Sequence, residues 1–461
     1  MSTASAVKPK GPRPVLVEEC CKGCERCIVA CARHCIEAGD AIHPATGLVP
    51  VRLHLEDCTA CGLCFDACPE PYGLRPDADR ARPRRPPVPA PTIADQVSAL
   101  PELAPLVVKG NHAAAIGAVL AGCRHVFGYP ITPSTEGAEL LARVMPGLGG
   151  IFLQAPSEVA TVNMMYGCGG AGLPAITFTS SPGFSLMLEG ISYMIGSEVP
   201  GVFVNVMRGG PGLGNIAPEQ SDVKLACRGL GHGNTHAIVL APATPQEMLD
   251  LTVLGFELSF RYRNPVVVLA DGYLGQMTGR VELPRTMVRP GLPSWAVWGD
   301  AGHRANLIAS IRLLEADLEE FNRHLNDKYA RIDAAEQRAD LYECDDAEVL
   351  LVAANTPARM AKAAVRTLRE AGYKVGLFRP VTLWPFPIAR LVPLLARARR
   401  IVVVEAGPGQ IEDELRLALS HAGVAPPVIG SVRRMGGVLP QPPEIVEKVL
   451  GGAARSQGVS A

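Results

Sequence analysis

Two short runs of cysteine constrain this chain more than any other feature. Cys21, Cys24, Cys27 and Cys31 follow C-x2-C-x2-C-x3-C, and Cys58, Cys61, Cys64 and Cys68 repeat it, with Pro69 closing the second copy. Two-residue gaps let a tight loop aim three thiolates at one face of an iron-sulfur cube, while the last cysteine of each run serves the other cube. The spacing therefore assigns Cys21, Cys24, Cys27 and Cys68 to one 4Fe-4S cluster and Cys58, Cys61, Cys64 and Cys31 to a second. A pair of structural zinc sites is the alternative, but such sites take four ligands as two spaced pairs and have no need of the third step.

Ten of the 14 cysteines lie between Cys20 and Cys68. The segment Met1 to Lys10 is polar, and no run of about 18 apolar residues follows, so a cytoplasmic chain with no membrane anchor is expected. There, clustered cysteines serve as metal ligands more often than as disulfides. Residues 12–75 resemble the two-cluster bacterial ferredoxins, with two departures: Ala32 follows Cys31 where proline is frequent, and Cys20 and Cys35 are surplus. Cys35 competes with Cys31 as a ligand, and the x3 spacing favours Cys31. A module this small has almost no core, so its clusters must supply much of its folding free energy.

The remaining length of the 461-residue chain holds two larger units. With 44 basic against 45 acidic residues and 19% charged overall, no basic surface for nucleic acid is expected. Pro69 to Pro105 contains ten prolines and the run Arg80, Arg82, Arg84, Arg85, so residues 76–105 read as a semi-rigid linker whose arginines lie on acidic protein surface. Residues 106–285 alternate aliphatic strands, at Val126 to Tyr129, Ala175 to Thr179, Val202 to Met207 and Val266 to Ala270, with helix-length stretches, which predicts a parallel sheet covered on both faces. Residues 286–345 form a connector, predicted helical over 302–342 because it is charged and free of Pro and Gly after Gly302. Residues 346–452 predict a second α/β layer with strands at Glu348 to Ala354, Lys374 to Arg379, Arg400 to Glu405 and Val428 to Ser431.

Ligands of open parallel sheets bind beyond the carboxyl ends of the strands, which directs attention to three loops. Tyr129-Pro130-Ile131-Thr132-Pro133-Ser134 is stiffened by two prolines, with Thr132 placed as a helix cap and Pro133 at the first helical position. In Ala155-Pro156-Ser157-Glu158, Ser157 is a cap and Glu158 occupies a first turn, where an acid offsets the helix dipole. Thr179-Ser180-Ser181-Pro182-Gly183 is rich in hydroxyls and carries a glycine that permits close backbone approach.

In this order, and behind a ferredoxin module, these loops resemble the alpha subunit of the 2-oxoacid:ferredoxin oxidoreductases over residues 106–450. Further resemblance is carried by Arg208-Gly209-Gly210-Pro211, by Arg379 to Pro387 and by Val403-Val404-Glu405. The variety it is most similar to acts on branched-chain 2-oxoacids, with the family's delta ferredoxin fused in front. The resemblance implies a thiamine-enzyme pyrimidine-type parallel-sheet domain followed by a transketolase C-terminal-like α/β domain. It implies thiamine diphosphate, coenzyme A as co-substrate, and electrons leaving through the clusters to ferredoxin or a similar acceptor. On its mapping Glu158 bonds the cofactor's pyrimidine nitrogen, Pro130, Ile131, Ser181 and Gly183 line the cofactor, Thr132 lies by the substrate carboxylate, and Arg208 is an anion contact. The Gly-Asp-Gly and later Asn that hold magnesium and diphosphate are absent, and Gly299-Asp300-Ala301 does not replace them. A beta subunit carrying that half, a gamma subunit and a dimer of heteromers are therefore implied. The sequence departs from the family at Pro156, where acids are frequent, and at Gly407-Pro408-Gly409-Gln410, where asparagine is common, which leaves the substrate open among branched-chain, aromatic and dicarboxylic 2-oxoacids.

Two alternatives stand beside this reading. In a non-catalytic electron-transfer subunit the α/β domains would only dock the ferredoxin, and Glu158 and Thr132 would be helix caps. A non-oxidative thiamine enzyme would leave eight cluster ligands without a purpose.

Overall fold

The computed structural model describes residues 11–70, 73–77, 94–303 and 305–456. The chain divides into two units, 1–90 and 91–461. The run from Arg80 to Arg85 lies outside the described residues.

In the first unit, β1 (Pro14–Leu16), α1 (Arg26–Ala30), β2 (Ile36–Glu37), β3 (Arg52–Leu53), α2 (Leu63–Ala67) and β4 (Leu74–Pro76) follow in order. β1 pairs antiparallel with β4, and β2 with β3. Both cysteine loops wind through left-handed backbone just before and just after their second cysteine, at Gly23 and Glu25 in one copy and at Ala60 and Gly62 in the other. This repeated winding turns the loops tightly enough to start α1 and α2 directly, and it bears strain at Glu25 and Ala60, which lack glycine's freedom. Among the described residues, Ile36, Val51 and Leu74 cluster with the buried third cysteines, Cys27 and Cys64, as a small core.

In the second unit β5 (Gln96–Ala99), β6 (Leu106–Lys109), α3 (Gly110–Leu120), β7 (His125–Gly128), α4 (Thr135–Val144), β8 (Ile151–Gln154), α5 (Glu158–Gly170), β9 (Ala175–Thr179), α6 (Ser181–Gly196) and β10 (Gly201–Met207) come first. Then follow α7 (Val223–Arg228), β11 (Ile238–Leu240), α8 (Pro245–Tyr262), β12 (Pro265–Asp271), α9 (Gly272–Gln276), β13 (Thr278–Val281) and β14 (Thr286–Arg289). The chain continues with α10 (Glu315–Ala335), β15 (Ala339–Tyr342), β16 (Val349–Val352), α11 (Asn355–Glu370), β17 (Val375–Pro380), β18 (Thr382–Trp384), α12 (Ile388–Leu391), β19 (Arg400–Glu405), α13 (Gln410–His421), β20 (Val428–Arg433) and α14 (Pro442–Ser456).

Seven strands form the main sheet in the order β18-β11-β12-β10-β9-β7-β8, parallel except for β18. Alternation assigns its two faces. Ile176, Phe178, Val202, Val204 and Val206 pack with Ala114, Ala118, Leu249 and Phe256 of α3 and α8. Phe203, Met207, Val267 and Leu269 pack with Phe184, Met187 and Ile191 of α6. Burying each large side chain in these layers contributes about 1.5–3 kcal/mol, which is why strands covered on both faces are nearly continuous in apolar residues. A second sheet runs β15-β17-β16-β19-β20, parallel apart from the edge strand β15.

The connector is less helical than its composition predicts. Among its described residues, helix is confined to Glu315–Ala335. Upstream, Asp300 Oδ1 accepts from the N–H groups of Gly302 and His303 in a turn, and Asn306 Nδ2 donates to Ser294 O and Ala296 O. Downstream, residues 339–342 pair with β17, so tertiary hydrogen bonding outweighs helix propensity. No helix among the described residues is long and apolar enough to cross a membrane.

Candidate active site

The site lies past the carboxyl ends of β7 to β10, where each loop delivers its side chains at the start of a helix. Ser157 has extended backbone, and its Oγ accepts from Ala160 N at 3.3 Å, which starts α5 with Glu158 as its first residue. Glu158 is buried, at 4% exposure for the whole residue, and no hydrogen bond or ion pair from the described residues reaches its carboxyl group. Gly183, in the first turn of α6, lies against it: a β-carbon there would be 2.4 Å from Glu158 Oε1 and 2.5 Å from Thr179 Oγ1.

Other polar atoms around it are also unsatisfied. Thr179 Oγ1, Ser180 Oγ and Asn205 Oδ1 are buried with no partner among the described residues. Thr177, Thr179 and Asn205 share the sheet face that elsewhere carries Phe203 and Met207, and Thr177 Oγ1 likewise has no partner among the described residues.

Ser181 is occupied by protein. Its Oγ donates to Asp222 Oδ2 at 2.6 Å and accepts from Arg208 N at 3.1 Å. Asn205 Nδ2 donates to the same Asp222 oxygen at 2.9 Å. Burial pushes the Asp222 carboxyl upward from its usual value, opposed by the hydrogen bonds from Ser181, Asn205 and Ser221. Asp222 and Asn205 escape a reading of the sequence, because neither belongs to a motif and the network closes across 41 residues from Ser181.

Thr132 is not the cap that its neighbours suggest. The helix starts later, at Thr135, and Thr132 is exposed, because Ile131 O is taken by Ser134 N and Oγ and Pro133 O by Asn111 and Gln276. Its carbonyl instead accepts from Arg208 Nη1 at 2.9 Å, while Arg208 Nη2 donates to Leu213 O. Pro130 is exposed and Ile131 half-buried in this same loop. Arg208 thus joins the Thr132 loop to Ser181, and Gly183 joins the same helix start to Glu158.

In the first unit the cysteines divide between two cavities. One is lined by Cys21, Cys24, Cys27 and Cys68, the other by Cys31, Cys58, Cys61 and Cys64 with Cys35 beside them. Among the described residues no three His, Cys, Asp or Glu side chains are grouped to hold a single metal ion. Thiols ringing a void suit a group with volume of its own.

The family described as pyruvate flavodoxin/ferredoxin oxidoreductase, thiamine diphosphate-binding, matches residues 116–292, and pyruvate:ferredoxin oxidoreductase core domain II matches residues 347–445. Ketoisovalerate oxidoreductase subunit VorB of Methanothermobacter thermautotrophicus is 47% identical over 349 residues, 75% of this chain and 97% of its own. The 2-oxoglutarate synthase subunit KorA of Methanocaldococcus jannaschii is 36% identical over 369 residues, 75% of this chain and 99% of its own. A solved 2-oxoglutarate:ferredoxin oxidoreductase from Magnetococcus marinus, with 2-oxoglutarate, coenzyme A and succinyl-CoA bound, shares the fold at a TM-score of 0.68 and 28% identity, covering 75% of this chain and 65% of that one. Built on a thiamine diphosphate-binding domain and related along most of its length to such subunits, the chain belongs to the 2-oxoacid:ferredoxin oxidoreductase family.

Proposed function

We propose that this chain is the alpha-type subunit of a branched-chain 2-oxoacid:ferredoxin oxidoreductase, fused to its own two-cluster ferredoxin and holding the pyrimidine half of the thiamine diphosphate site. The observation that carries this reading is Glu158, a buried residue whose carboxyl group packs on Gly183 without a partner among the described residues. A ring nitrogen seated there would give the carboxyl group a hydrogen-bond partner. Thiamine diphosphate, when bound, supplies the carbanion chemistry that decarboxylation of a 2-oxoacid requires. With the cofactor bound, Glu158 would hold its pyrimidine nitrogen and carry a proton at a carboxylate oxygen. Gly183 leaves room for the Glu158 carboxyl group. Thr132 faces solvent on a loop held by Arg208, where it meets the substrate carboxylate; Arg208 acts by holding that loop.

Within this reading the magnesium and diphosphate half-site belongs to a beta subunit, a gamma subunit completes the enzyme as a dimer of heteromers, and coenzyme A takes the acyl group. Cys21, Cys24, Cys27 and Cys68 would hold one 4Fe-4S cluster, and Cys31, Cys58, Cys61 and Cys64 the other, consistent with the two cavities. The higher identity to VorB than to KorA favours a branched-chain substrate over a dicarboxylic one. The test is dye reduction by the chain purified anaerobically with its native partners, across a panel of 2-oxoacids with and without coenzyme A. Fastest reduction with a branched-chain 2-oxoacid, dependent on coenzyme A, is expected; no reduction with any 2-oxoacid would overturn the proposal.

A further inference from the structure

Asp222 precedes α7 but does not cap it. Its backbone, at φ −112° and ψ 15°, lies outside the extended region usual for capping residues, and its side chain makes no bond to the first turn of α7. The residue is buried, and its carboxyl group turns instead toward α6, β10 and the neighbouring Ser221. Oδ2 accepts from Ser181 Oγ at 2.6 Å and from Asn205 Nδ2 at 2.9 Å, and Oδ1 lies 3.2 Å from Ser221 Oγ.

Two routes lead from this one carboxyl group to the two ends of the site. The first is short: Ser181 is the first residue of α6, and Gly183 in the same turn packs against the carboxyl group of Glu158. The second runs through Arg208. Ser221 Oγ donates to Arg208 O at 2.8 Å and Arg208 N donates to Ser181 Oγ at 3.1 Å, so Arg208 is gripped at both of its backbone groups. Its guanidinium group then reaches Thr132 O at 2.9 Å and Leu213 O at 3.1 Å. Loss of the Asp222 carboxyl group would take the acceptor from Asn205 Nδ2, beside an Oδ1 that already has no partner among the described residues, and would release Ser181 from its shortest bond. A buried donor left without an acceptor costs free energy, so the side chains there would shift to recover one.

On the reading of Glu158 and Thr132 given above, we propose that Asp222 is a positioning residue that ties the two ends of the site together. It sets the start of α6 against Glu158, and through Arg208 it sets the Thr132 loop. It acts through Ser181 and Arg208 rather than on the reacting atoms. A misplacement of about 1 Å can slow a reaction by about 100-fold, which gives such a tie kinetic weight.

The test compares Asp222→Ala with Asp222→Asn in the complex purified with its native partners, with subunit association and iron content checked first. Asparagine keeps an acceptor for Ser181 and Asn205 and offers Ser221 a donor, so it is the conservative rescue. The wild-type complex must first turn over a 2-oxoacid; failure there removes the reading beneath the proposal. With turnover present, Asp222→Ala should slow exchange of the cofactor's C2 proton and raise KM for the 2-oxoacid, each by about 10- to 100-fold, and Asp222→Asn should recover both. Amide hydrogen exchange measured without thiamine diphosphate should quicken in residues 129–136 and 181–190 of Asp222→Ala and stay unchanged in α7. Ser221→Ala cuts the branch to Arg208 O, so it should raise KM and leave C2 exchange in place; it also tests the proposal if Asp222→Ala fails to fold. Unmoved C2 exchange or unmoved KM in a folded Asp222→Ala complex overturns the proposal, as does an asparagine variant as impaired as the alanine one. Faster amide exchange confined to α7 would return Asp222 to a helix cap, and an unmoved KM in Ser221→Ala overturns the Arg208 branch.

Discussion

A β-carbon at Gly183 would lie 2.4 Å from Glu158 Oε1, so the start of one helix is shaped around the carboxyl group that starts another. The contact fixes where the carboxyl group points without bonding to it. A residue meant only to offset the dipole of α5 would sit in solvent, whereas Glu158 is buried.

Gly183→Ala should therefore act on Glu158 rather than on the fold at large. The added methyl group forces the carboxyl group aside, with an overpacking cost of about 1–3 kcal/mol. Turnover of the assembled complex should fall at least tenfold while subunit association and iron content persist. Wild-type turnover in a folded variant would show that the close approach has no functional role.

Glu158→Gln separates proton transfer from capping. Loss of acid/base work should slow exchange of the cofactor's C2 proton, followed by NMR in the assembled complex, by about 10²- to 10⁴-fold. A dipole partner would contribute only about 0.3–1 kcal/mol and leave exchange intact. Removing a buried, unpaired carboxyl group should also leave the unfolding temperature of the chain unchanged or raised.

Ser157→Ala removes the side-chain acceptor for Ala160 N. A loss of about 1 kcal/mol is expected in denaturant unfolding, as for other N-caps. Restoration by Ser157→Asp, with its longer acceptor, would attribute the loss to the cap.

Glu405, at the end of β19, is fully buried, and burial pushes its carboxyl group up from 4.5 to about 7, opposed by Ile411 N–H and Arg433 and reinforced by Glu412. The folded state thus binds the proton more tightly than the unfolded chain does. The associated stability is complete below about pH 4.5 and is lost as pH rises through about 7, on the order of 3 kcal/mol at most. Glu405→Gln should flatten that part of the stability profile in melts between pH 5 and 8. An unchanged slope would exclude Glu405 as its source.

Cys35→Ser should leave the iron content unchanged, because Cys35 contributes its backbone N–H to Cys31 Sγ while its own thiol faces Arg33 O at 3.5 Å. A loss of iron would transfer the ligand role from Cys31 to Cys35.

How much of this was legible in the chain depends on the range over which each feature is determined. The cysteine runs are local, so their spacing alone groups Cys21, Cys24 and Cys27, and Cys58, Cys61 and Cys64; the parallel strands are local too, because burial on both faces demands near-continuous apolar runs at 175–179, 201–207 and 265–271. The position of Glu158 in a first turn was likewise readable from Ser157 before it. Its lack of a partner, the Asp222–Ser181–Asn205 network and the diversion of Arg208 to the carbonyl of Thr132 were not, since each joins residues tens of positions apart. The Thr132 cap and the long connector helix were misread for the same reason: local preference is worth about a kilocalorie per residue or less, and the carbonyls, side-chain amides and strand edges that outweigh it exist only after the chain has folded.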